Sequence, residues 1–334
     1  MSLNSFQVVR QWAQTALSRL PPEVQPVLQH PLLPKALAAL VAVGAVRQIN
    51  RSLGHWAANN WQGAGPWVPS REVVLVTGGS SGIGKQIMQD LAATGVRVVI
   101  LDIQEPSFTL PRNVTFYKAD ITSSESIRAV AEKIRAKHGD PTVLINNAGV
   151  GHDGTILDEP EAKIRQTFEV NTISHFLMVR EFLPSMVRQN HGHVVTIASM
   201  ASFVALGEMV DYCCSKASAL AFHEGLAQEL RYWYGAPKVR TSVVHPLWVR
   251  TPMIKQLTDA GNQFKQPILT PEMVSEAVVR QIVTQRSGQV ILPKHHAPIS
   301  LVRAFPSWLQ ETARGFGSKS LKRLREWQVS QEAQ

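Results

Sequence analysis

The sequence predicts an α/β fold in which helices cover both faces of one parallel β-sheet. From residue 71 onward, short runs of β-branched and aliphatic residues alternate with longer segments of helical periodicity, a pattern typical of consecutive βαβ units. The chain has 334 residues, of which 44% are hydrophobic and 18% are charged. This composition can bury a large core and excludes disordered, collagen-like and disulfide-scaffold proteins. The expected architecture is a doubly wound sheet of seven strands.

The strands and helices are predicted from short β-branched runs and from helical periodicity. The predicted strands are residues 73–77, 97–102, 114–118, 142–145, 193–197, 240–244 and 289–292. The predicted helices are residues 83–94, 124–138, 161–190, 211–234 and 271–286. Helices are expected to start at Ser123 or Ser124 and at Thr270-Pro271, because capping hydroxyls and a first-turn proline favour a helix N-terminus.

Charge divides the chain into a near-neutral body and two basic ends. Of the net charge of +9, residues 1–70 hold five basic side chains against one acidic, and residues 294–334 hold seven against three. The body, residues 71–293, is expected to be the catalytic domain. A near-neutral body argues against a nucleic-acid partner, whereas basic ends beside apolar sequence suit an anionic membrane surface.

The N-terminal segment contains a wholly apolar run at residues 36–46. Eleven residues are fewer than the roughly 17–25 that a helix needs to span a bilayer, and the run is not placed like a signal peptide. An embedded or interfacial anchor is predicted, with Trp56, Trp61 and Trp67 at the headgroup level. The alternative is a helix that packs on the body of the protein.

The C-terminal segment mixes apolar and basic residues between positions 299 and 327. This composition predicts a basic amphipathic helix that is interrupted near Gly315 and Gly317. Such a helix could bind a membrane surface. It could equally cap the substrate cleft or pack at a subunit interface, and the sequence leaves these alternatives open.

A glycine-rich loop follows the first predicted strand and leads into a helix. Glycines allow a backbone to turn sharply and approach a pyrophosphate, whose charge the helix N-terminus favours. Asp102 follows Gly84 by eighteen residues, at the end of the second strand. A carboxylate there accepts hydrogen bonds from ribose hydroxyls and repels a 2′-phosphate, which favours NAD over NADP. The candidate cofactor-binding residues of the loop are Gly78, Ser80, Ser81, Gly82, Ile83 and Gly84.

Tyr212 and Lys216 lie four residues apart on one predicted helix, so their side chains share a face. A free phenol has a pKa of about 10 and is a poor base at neutral pH. A neighbouring ammonium and a positively charged nicotinamide ring would both favour the phenolate, which could then exchange a proton with a substrate hydroxyl. Ser199, just after the fifth strand, is expected to hydrogen-bond the same substrate oxygen.

Three motifs in one order resemble the classical short-chain dehydrogenase/reductase family. They are Thr77-Gly-x-x-x-Gly-Ile-Gly84, Asn146-Asn147-Ala148-Gly149, and Tyr212-x-x-x-Lys216 thirteen residues past Ser199. The resemblance covers roughly residues 72–293 and implies a Rossmann fold. In character the chain is most similar to the membrane- and lipid-droplet-associated branch that includes retinol and 17β-hydroxysteroid dehydrogenases.

The resemblance implies further contacts to the cofactor. Asp120 would contact the adenine, Asn147 would line the ribose side, and Ile83 would lie along the pyrophosphate. Val249 and Thr251 keep the spacing expected for contacts to the nicotinamide carboxamide. Tyr212 and Lys216 would also contact the cofactor.

Two further positions bear on the resemblance. Asn171 matches the family asparagine that supports a proton relay through water to the lysine. Leu247 departs from the family pattern, which has glycine at that place after the sixth strand. The loop beside the nicotinamide could therefore turn differently.

The sequence around the predicted cleft is apolar, and a wide apolar wall suits a lipophilic substrate. The wall residues are Phe203, Val204, Ala205, Leu206, Met209, Val210, Trp248, Met253 and Ile254. The predicted function is hydride transfer between a nicotinamide cofactor and a lipophilic alcohol or ketone, of the steroid, retinoid, fatty-alcohol or secondary-metabolite class. Alternatives are an NADPH-dependent carbonyl reductase and a non-catalytic nucleotide-binding scaffold on a lipid surface. The expected location is a cytosol-facing membrane, endoplasmic reticulum or lipid droplet. No metal is expected, and a homodimer is left open.

Overall fold

The computed structural model describes residue 30, residues 32–260, residue 264 and residues 266–332. Residues 1–29 of the predicted N-terminal segment therefore lie outside the described residues. The chain divides after Ala57 into two compact units.

Apart from residue 30, the described residues of the first unit form a single long helix, α1 (Leu32–Ala58). None of its 27 residues is buried, and by length and composition it is long and apolar enough to cross a membrane. At 1.5 Å per residue the helix is about 40 Å long. The expectation of a segment too short to span is therefore corrected, because the helix continues well beyond the run at residues 36–46. Trp67, which was expected at a headgroup layer, packs instead against the core of the second unit.

The second unit contains the predicted parallel sheet. Its seven strands are β1 (Val73–Thr77), β2 (Arg97–Asp102), β3 (Val114–Lys118), β4 (Val143–Asn146), β5 (His193–Ile197), β6 (Arg240–Pro246) and β9 (Gly288–Leu292). A separate pair is formed by β7 (Trp248–Val249) and β8 (Ile268–Leu269). The strand order is β3-β2-β1-β4-β5-β6-β9, and every pair is parallel. The doubly wound Rossmann-type fold is thus confirmed.

Helices cover both faces of this sheet. They are α2 (Gly82–Ala93), α3 (Ser124–His138), α4 (Glu161–Phe168), α5 (Ser174–Gln189), α6 (Val210–Tyr232), α7 (Lys255–Asp259), α8 (Pro271–Val283) and α9 (Ser307–Glu332). One apolar core lies between the sheet and α3, α5 and α6, and the other lies under α2 and α8. Ser123 caps α3, because its hydroxyl accepts a 3.2 Å hydrogen bond from the N–H of Ser126. The predicted helix at residues 161–190 is divided by a π-helical turn, Glu169–Ile173.

The C-terminal helix α9 runs through Gly315 and Gly317 without a break, which corrects the expected interruption. Packing explains the continuity. A Cβ added at Gly317 would come within 2.7 Å of Leu206, so the glycine permits close approach of α9 to the loop before α6. Leu324 is buried with Leu257 and Phe264 in a small apolar cluster. The helix therefore packs on the body against the loop before α6 and the cluster of Leu257 and Phe264.

Candidate active site

The site residues gather at the carboxyl ends of β1, β4, β5 and β6, which are neighbours in the sheet. The chain leaves β1 toward one side and β4 toward the other, so a crevice opens between their loops. Such a switch point is the usual ligand site of an open parallel sheet.

Glycines in the loop after β1 are required by the close packing of the backbone. Gly78 has a φ of +66°, and a Cβ there would lie 2.9 Å from the Cα of Ala148. A Cβ at Gly84 would collide with the carbonyl oxygen of Gly78. Gly82 (φ +52°) lies against Thr251, whose Cγ2 would be 3.1 Å from an added Cβ. The loop thus leads the first N–H groups of α2, which lack intrahelical acceptors, to the crevice.

Asp102 ends β2 with its carboxylate turned toward the glycine loop. One oxygen accepts a 3.0 Å hydrogen bond from the N–H of Ser80, and the other accepts one of 3.1 Å from the N–H of Gln104. The Ser80 hydroxyl in turn donates to the carbonyl of Gln104 at 2.7 Å. Each carboxylate oxygen can accept a further bond, so the half-buried group is held in position to receive hydroxyl donors.

Asn147, which directly follows β4, holds the glycine loop in place. Its side-chain amide donates to the carbonyls of Thr77 (2.9 Å) and Gly78 (3.2 Å). The Thr77 hydroxyl accepts from the N–H groups of both Asn147 and Ala148 at 3.0 Å. Thr77 thus connects the two loops, a role that its place in the motif did not predict. Its place at the end of a strand, directly before glycine, was the available signal.

The remaining predicted cofactor residues lie around this centre. Asp120 is exposed after β3 and accepts bonds from the N–H and hydroxyl of Thr122 at 2.9 and 2.7 Å. Ile83 packs partly against the core under α2. Val249 is buried in β7, and Thr251 contacts the glycine loop as described above. A dinucleotide fits this set of groups: a glycine cradle, a helix N-terminus and a fixed carboxylate.

Ser199 and Tyr212 meet across the crevice. Ser199 follows β5, and its hydroxyl oxygen accepts a 3.1 Å bond from the N–H of Ala201. The Ser199 side chain also lies close enough to the Tyr212 hydroxyl to influence its pKa. A Cβ at Gly151 would touch the Tyr212 ring at 3.2 Å, so a glycine gives the ring its space. Burial raises the pKa of Tyr212 to about 12, although the neighbouring Ser199 side chain acts in the opposite direction.

Lys216 and Asn171 form the inner part of the site. The Lys216 ammonium donates to the carbonyl of Ile197 at 3.1 Å and lies 5.6 Å from the centre of the Tyr212 ring. Burial lowers the pKa of Lys216 to about 8. A Cβ at Gly149 would lie 3.3 Å from Asn171 Oδ1 and 3.4 Å from Lys216 Nζ, so both atoms approach this glycine.

Asn171 is completely buried within the π-helical turn. Its side chain exchanges two 2.8 Å hydrogen bonds with the backbone of Val150 and donates a third, of 3.0 Å, to Ser215. Such turns are frequent at functional sites. The lowered phenol pKa expected from Lys216 is not found in the protein alone. Burial of Tyr212 outweighs an ammonium that is engaged with a backbone carbonyl.

His245 is a neighbour of the site that was not predicted from the sequence. It is fully buried at the end of β6, and its Nδ1 lies 3.0 Å from the carbonyl oxygen of Ser199. Burial lowers the pKa of His245 to about 4, so the ring is neutral and supports the Ser199 backbone. Its position one residue past the predicted end of the sixth strand was the available signal.

The loop after β6 accommodates the departure at Leu247. The N–H of Leu247 donates to the carbonyl of Leu292 at 2.9 Å, and its side chain packs against the core. The chain then forms β7, where the Trp248 ring meets Phe264 edge-on at 5.4 Å. The backbone therefore passes through Leu247 without the positive φ that would favour a glycine at this position.

Only some of the residues predicted for the apolar wall lie together around one cavity. A cavity of about 20 Å³ lies beside it, enough for about one water molecule. Its lining includes Met209 and Trp248, which were predicted, and Leu321 and Leu324 from α9. Phe203, by contrast, is buried against His245, with ring centres 4.6 Å apart. Acidic residues and an arginine also reach this cavity: Asp153, Glu208 and Arg325.

Comparison with known proteins establishes the family. The model of the short chain dehydrogenases matches residues 72–262, more than half of the chain. The chain belongs to the short-chain dehydrogenase family. The dehydrogenase is also similar to curated relatives. It is 44% identical over 207 residues to dehydrogenase RED2 of Cochliobolus heterostrophus, covering 61% of this chain and 78% of that protein.

Two further comparisons support the branch and the fold. The dehydrogenase is 34% identical over 245 residues to estradiol 17-beta-dehydrogenase 11 of Rattus norvegicus, covering 70% of this chain and 80% of that protein. The resemblance to the 17β-hydroxysteroid dehydrogenase-like branch is thus confirmed. A 3-ketoacyl-(acyl-carrier-protein) reductase of Brucella melitensis complexed with NADH shares the fold, with a TM-score of 0.59, 22% identity, and coverage of 66% of this chain and 96% of that one.

Proposed function

We propose that this short-chain dehydrogenase oxidises lipophilic alcohols, or reduces the corresponding ketones, with NAD(H). The observation that carries the proposal is the contact of Tyr212 with Ser199 beside buried Lys216 and Asn171, next to a glycine cradle. When bound, the nicotinamide supplies the hydride acceptor or donor. The protein must then bind the substrate oxygen and move its proton.

Different residues of this chain bind the substrate oxygen, transfer its proton and stabilise the resulting charge. Ser199 and Tyr212 present two hydroxyls to one substrate oxygen. In the direction of reduction, the raised pKa of Tyr212 keeps the phenol protonated, so it can donate the proton. In the direction of oxidation, the phenolate must be stabilised by positive charge. Lys216 is the buried cation on the same helix. Asn171 holds the backbone of Val150, which follows the glycine that the Lys216 ammonium approaches.

The intact catalytic set also weighs against the alternatives. A non-catalytic scaffold has no requirement for Ser199, Tyr212 and Lys216 together. An NADPH-dependent reductase would require that a 2′-phosphate be placed beside the fixed carboxylate of Asp102. A turnover screen of steroid, retinoid and long-chain alcohols and ketones with both cofactors tests the proposal. The similarity to an estradiol dehydrogenase supports starting with steroids.

The choice of cofactor gives a first prediction. Asp102→Ser removes the carboxylate that should bond the ribose and repel a 2′-phosphate, so the ratio of kcat/KM with NAD to that with NADP is expected to fall by at least tenfold, about 1.4 kcal/mol. Glu105→Ser, an exposed acid three residues away, should leave the ratio unchanged. A better kcat/KM with NADP in the unmodified enzyme would contradict the assignment of Asp102.

Membrane association by α1 gives a second prediction. We propose that this exposed apolar helix anchors the enzyme on a cytosol-facing membrane or lipid droplet. Deleting residues 1–57, or substituting Leu40→Asp and Val43→Asp, should shift the enzyme from the membrane to the soluble fraction. Phe316→Asp, an equally exposed position on α9, is the matched control. If the doubly substituted protein stays on membranes and the Phe316→Asp protein is released, the membrane anchor is α9 and not α1.

A further inference from the structure

An aromatic surface lies where α6 ends. Tyr232, Trp233 and Tyr234 follow one another with 62%, 74% and 47% of their surfaces exposed, and Trp61 is 55% exposed. Large aromatic side chains are seldom left in water in such a row, and an exposed apolar patch commonly marks an interaction site. We refer to these four residues as the aromatic surface.

The aromatic surface adjoins the chain that leaves α1. The buried guanidinium of Arg240 donates to three backbone carbonyls within residues 59–63, at 2.8, 3.1 and 2.6 Å. The side-chain amide of Asn60 donates to the carbonyl of Pro237 at 3.1 Å. Pro237 lies three residues past Tyr234, and Asn60 immediately precedes Trp61. The residues that follow α1 are therefore fixed to the body beside the aromatic surface.

Cations border this surface. The Arg231 guanidinium lies over the Tyr232 ring, 4.9 Å from its centre. Lys238, Arg188 and Arg286 are exposed on the neighbouring segments. The nearby acid Glu229 accepts a 2.9 Å hydrogen bond from the Tyr234 hydroxyl. Aromatic rings with a polar tip and a cationic border are the composition favoured in the headgroup layer of an anionic membrane.

We propose that the aromatic surface docks on the headgroup layer of an anionic phospholipid membrane, as a second contact besides α1. The inference rests on the proposed membrane association. A second copy of the same surface is disfavoured because its cations would face like charges. Arg240 begins β6 and Pro246 ends it, so the docking surface and the catalytic loops lie at opposite ends of the sheet. The rival surface is that of α9, whose exposed Trp308 lies on the helix beside the cleft.

A position-specific fluorescent label distinguishes these surfaces in the full-length protein. Cys214→Ser removes the exposed thiol, and Cys213 is buried. In that background, Trp233→Cys, Trp308→Cys and Glu132→Cys, the last on α3, each receive an environment-sensitive dye. Vesicles with 30% phosphatidylserine, and vesicles of phosphatidylcholine alone, are the probes. A blue shift at position 233 on the anionic vesicles, with none at position 132, is expected.

The outcomes separate the inference from the function on which it rests. Vesicle-bound protein without a shift at position 233 overturns the docking surface and leaves the membrane anchor intact. Protein that binds neither vesicle overturns the proposed membrane association as well. A shift at position 233 that depends on protein concentration without vesicles overturns the inference in favour of self-association. Shifts at both 233 and 308 support it, because the aromatic surface is then in contact with lipid.

Charge gives an independent test. The double variant Arg231→Gln, Lys238→Gln is expected to weaken binding of the full-length protein to the anionic vesicles by roughly 30-fold. The control Lys133→Gln, Lys137→Gln removes two exposed lysines from α3, and it should weaken binding several-fold less. Turnover of a water-soluble substrate should be unchanged in both. Equal losses of binding in the two double variants would show attraction by net charge alone and overturn the docking surface.

Discussion

Tyr212→Phe is expected to lower kcat by between about 100- and 10,000-fold while leaving the affinity for NAD nearly unchanged. The substitution keeps the ring that fills the space beside Gly151 and deletes only the hydroxyl that contacts Ser199. Steady-state turnover and a direct titration of NAD measure the two effects separately. Tyr117→Phe, the same chemical change on β3, is the control and should leave kcat unchanged.

Lys216→Ala should differ from Tyr212→Phe in its effect on binding. Its ammonium is the buried cation between Asn171, Ile197 and the Tyr212 ring, and it is proposed to hold the cofactor as well as to favour the phenolate. Both kcat and NAD affinity should therefore fall. A folded Tyr212→Phe protein with near-normal turnover would show that the proposed proton transfer is wrong.

Mild acid is expected to unfold the protein because, among the described residues, His175, His193 and His245 are buried and His223 is half-buried. Burial lowers the pKa of His175 and His193 to about 3, and that of His223 and His245 to about 4. In the unfolded chain these rings protonate near pH 6.5, so the unfolded state binds more protons from pH 6.5 down to pH 4. Stability therefore falls as the pH drops through this range. His175 and His193 alone remove about 4 kcal/mol at pH 5, a large part of an ordinary folding free energy.

Denaturant unfolding at pH 7.5 and pH 5 measures this loss. His175→Phe should retain more of its stability at pH 5, because both ring nitrogens of His175 are buried without a hydrogen-bond partner and the ring packs on Phe222. His191→Gln, in contrast, should lose more of its stability between pH 7.5 and pH 5 than the unmodified protein does. The hydrogen bond to Glu72 raises the pKa of His191, so its contribution is present below pH 6.5 and is lost as the pH rises through the raised pKa. Equal stability of the unmodified protein at both pH values would contradict the prediction.

Local sequence patterns were sufficient to predict the fold and to predict which residues come together at the candidate site. A parallel strand buried on both faces leaves a short β-branched run in the sequence, so the strand bounds were predicted within about two residues. The motif residues converge for an equally local reason. Tyr212 and Lys216 are one helical turn apart, and loops at the carboxyl ends of adjacent strands meet at one edge of the sheet.

Properties that depend on burial or on distant parts of the chain were decided only by tertiary packing. The raised pKa of Tyr212 and the lowered pKa of Lys216 follow from the loss of water around groups whose type alone predicts ordinary values. The unbroken course of α9 through Gly317 follows from its approach to Leu206. The bonds from Arg240 to residues 59–63 join positions nearly 180 residues apart. No local periodicity records such contacts, because they form only when the separate elements pack together.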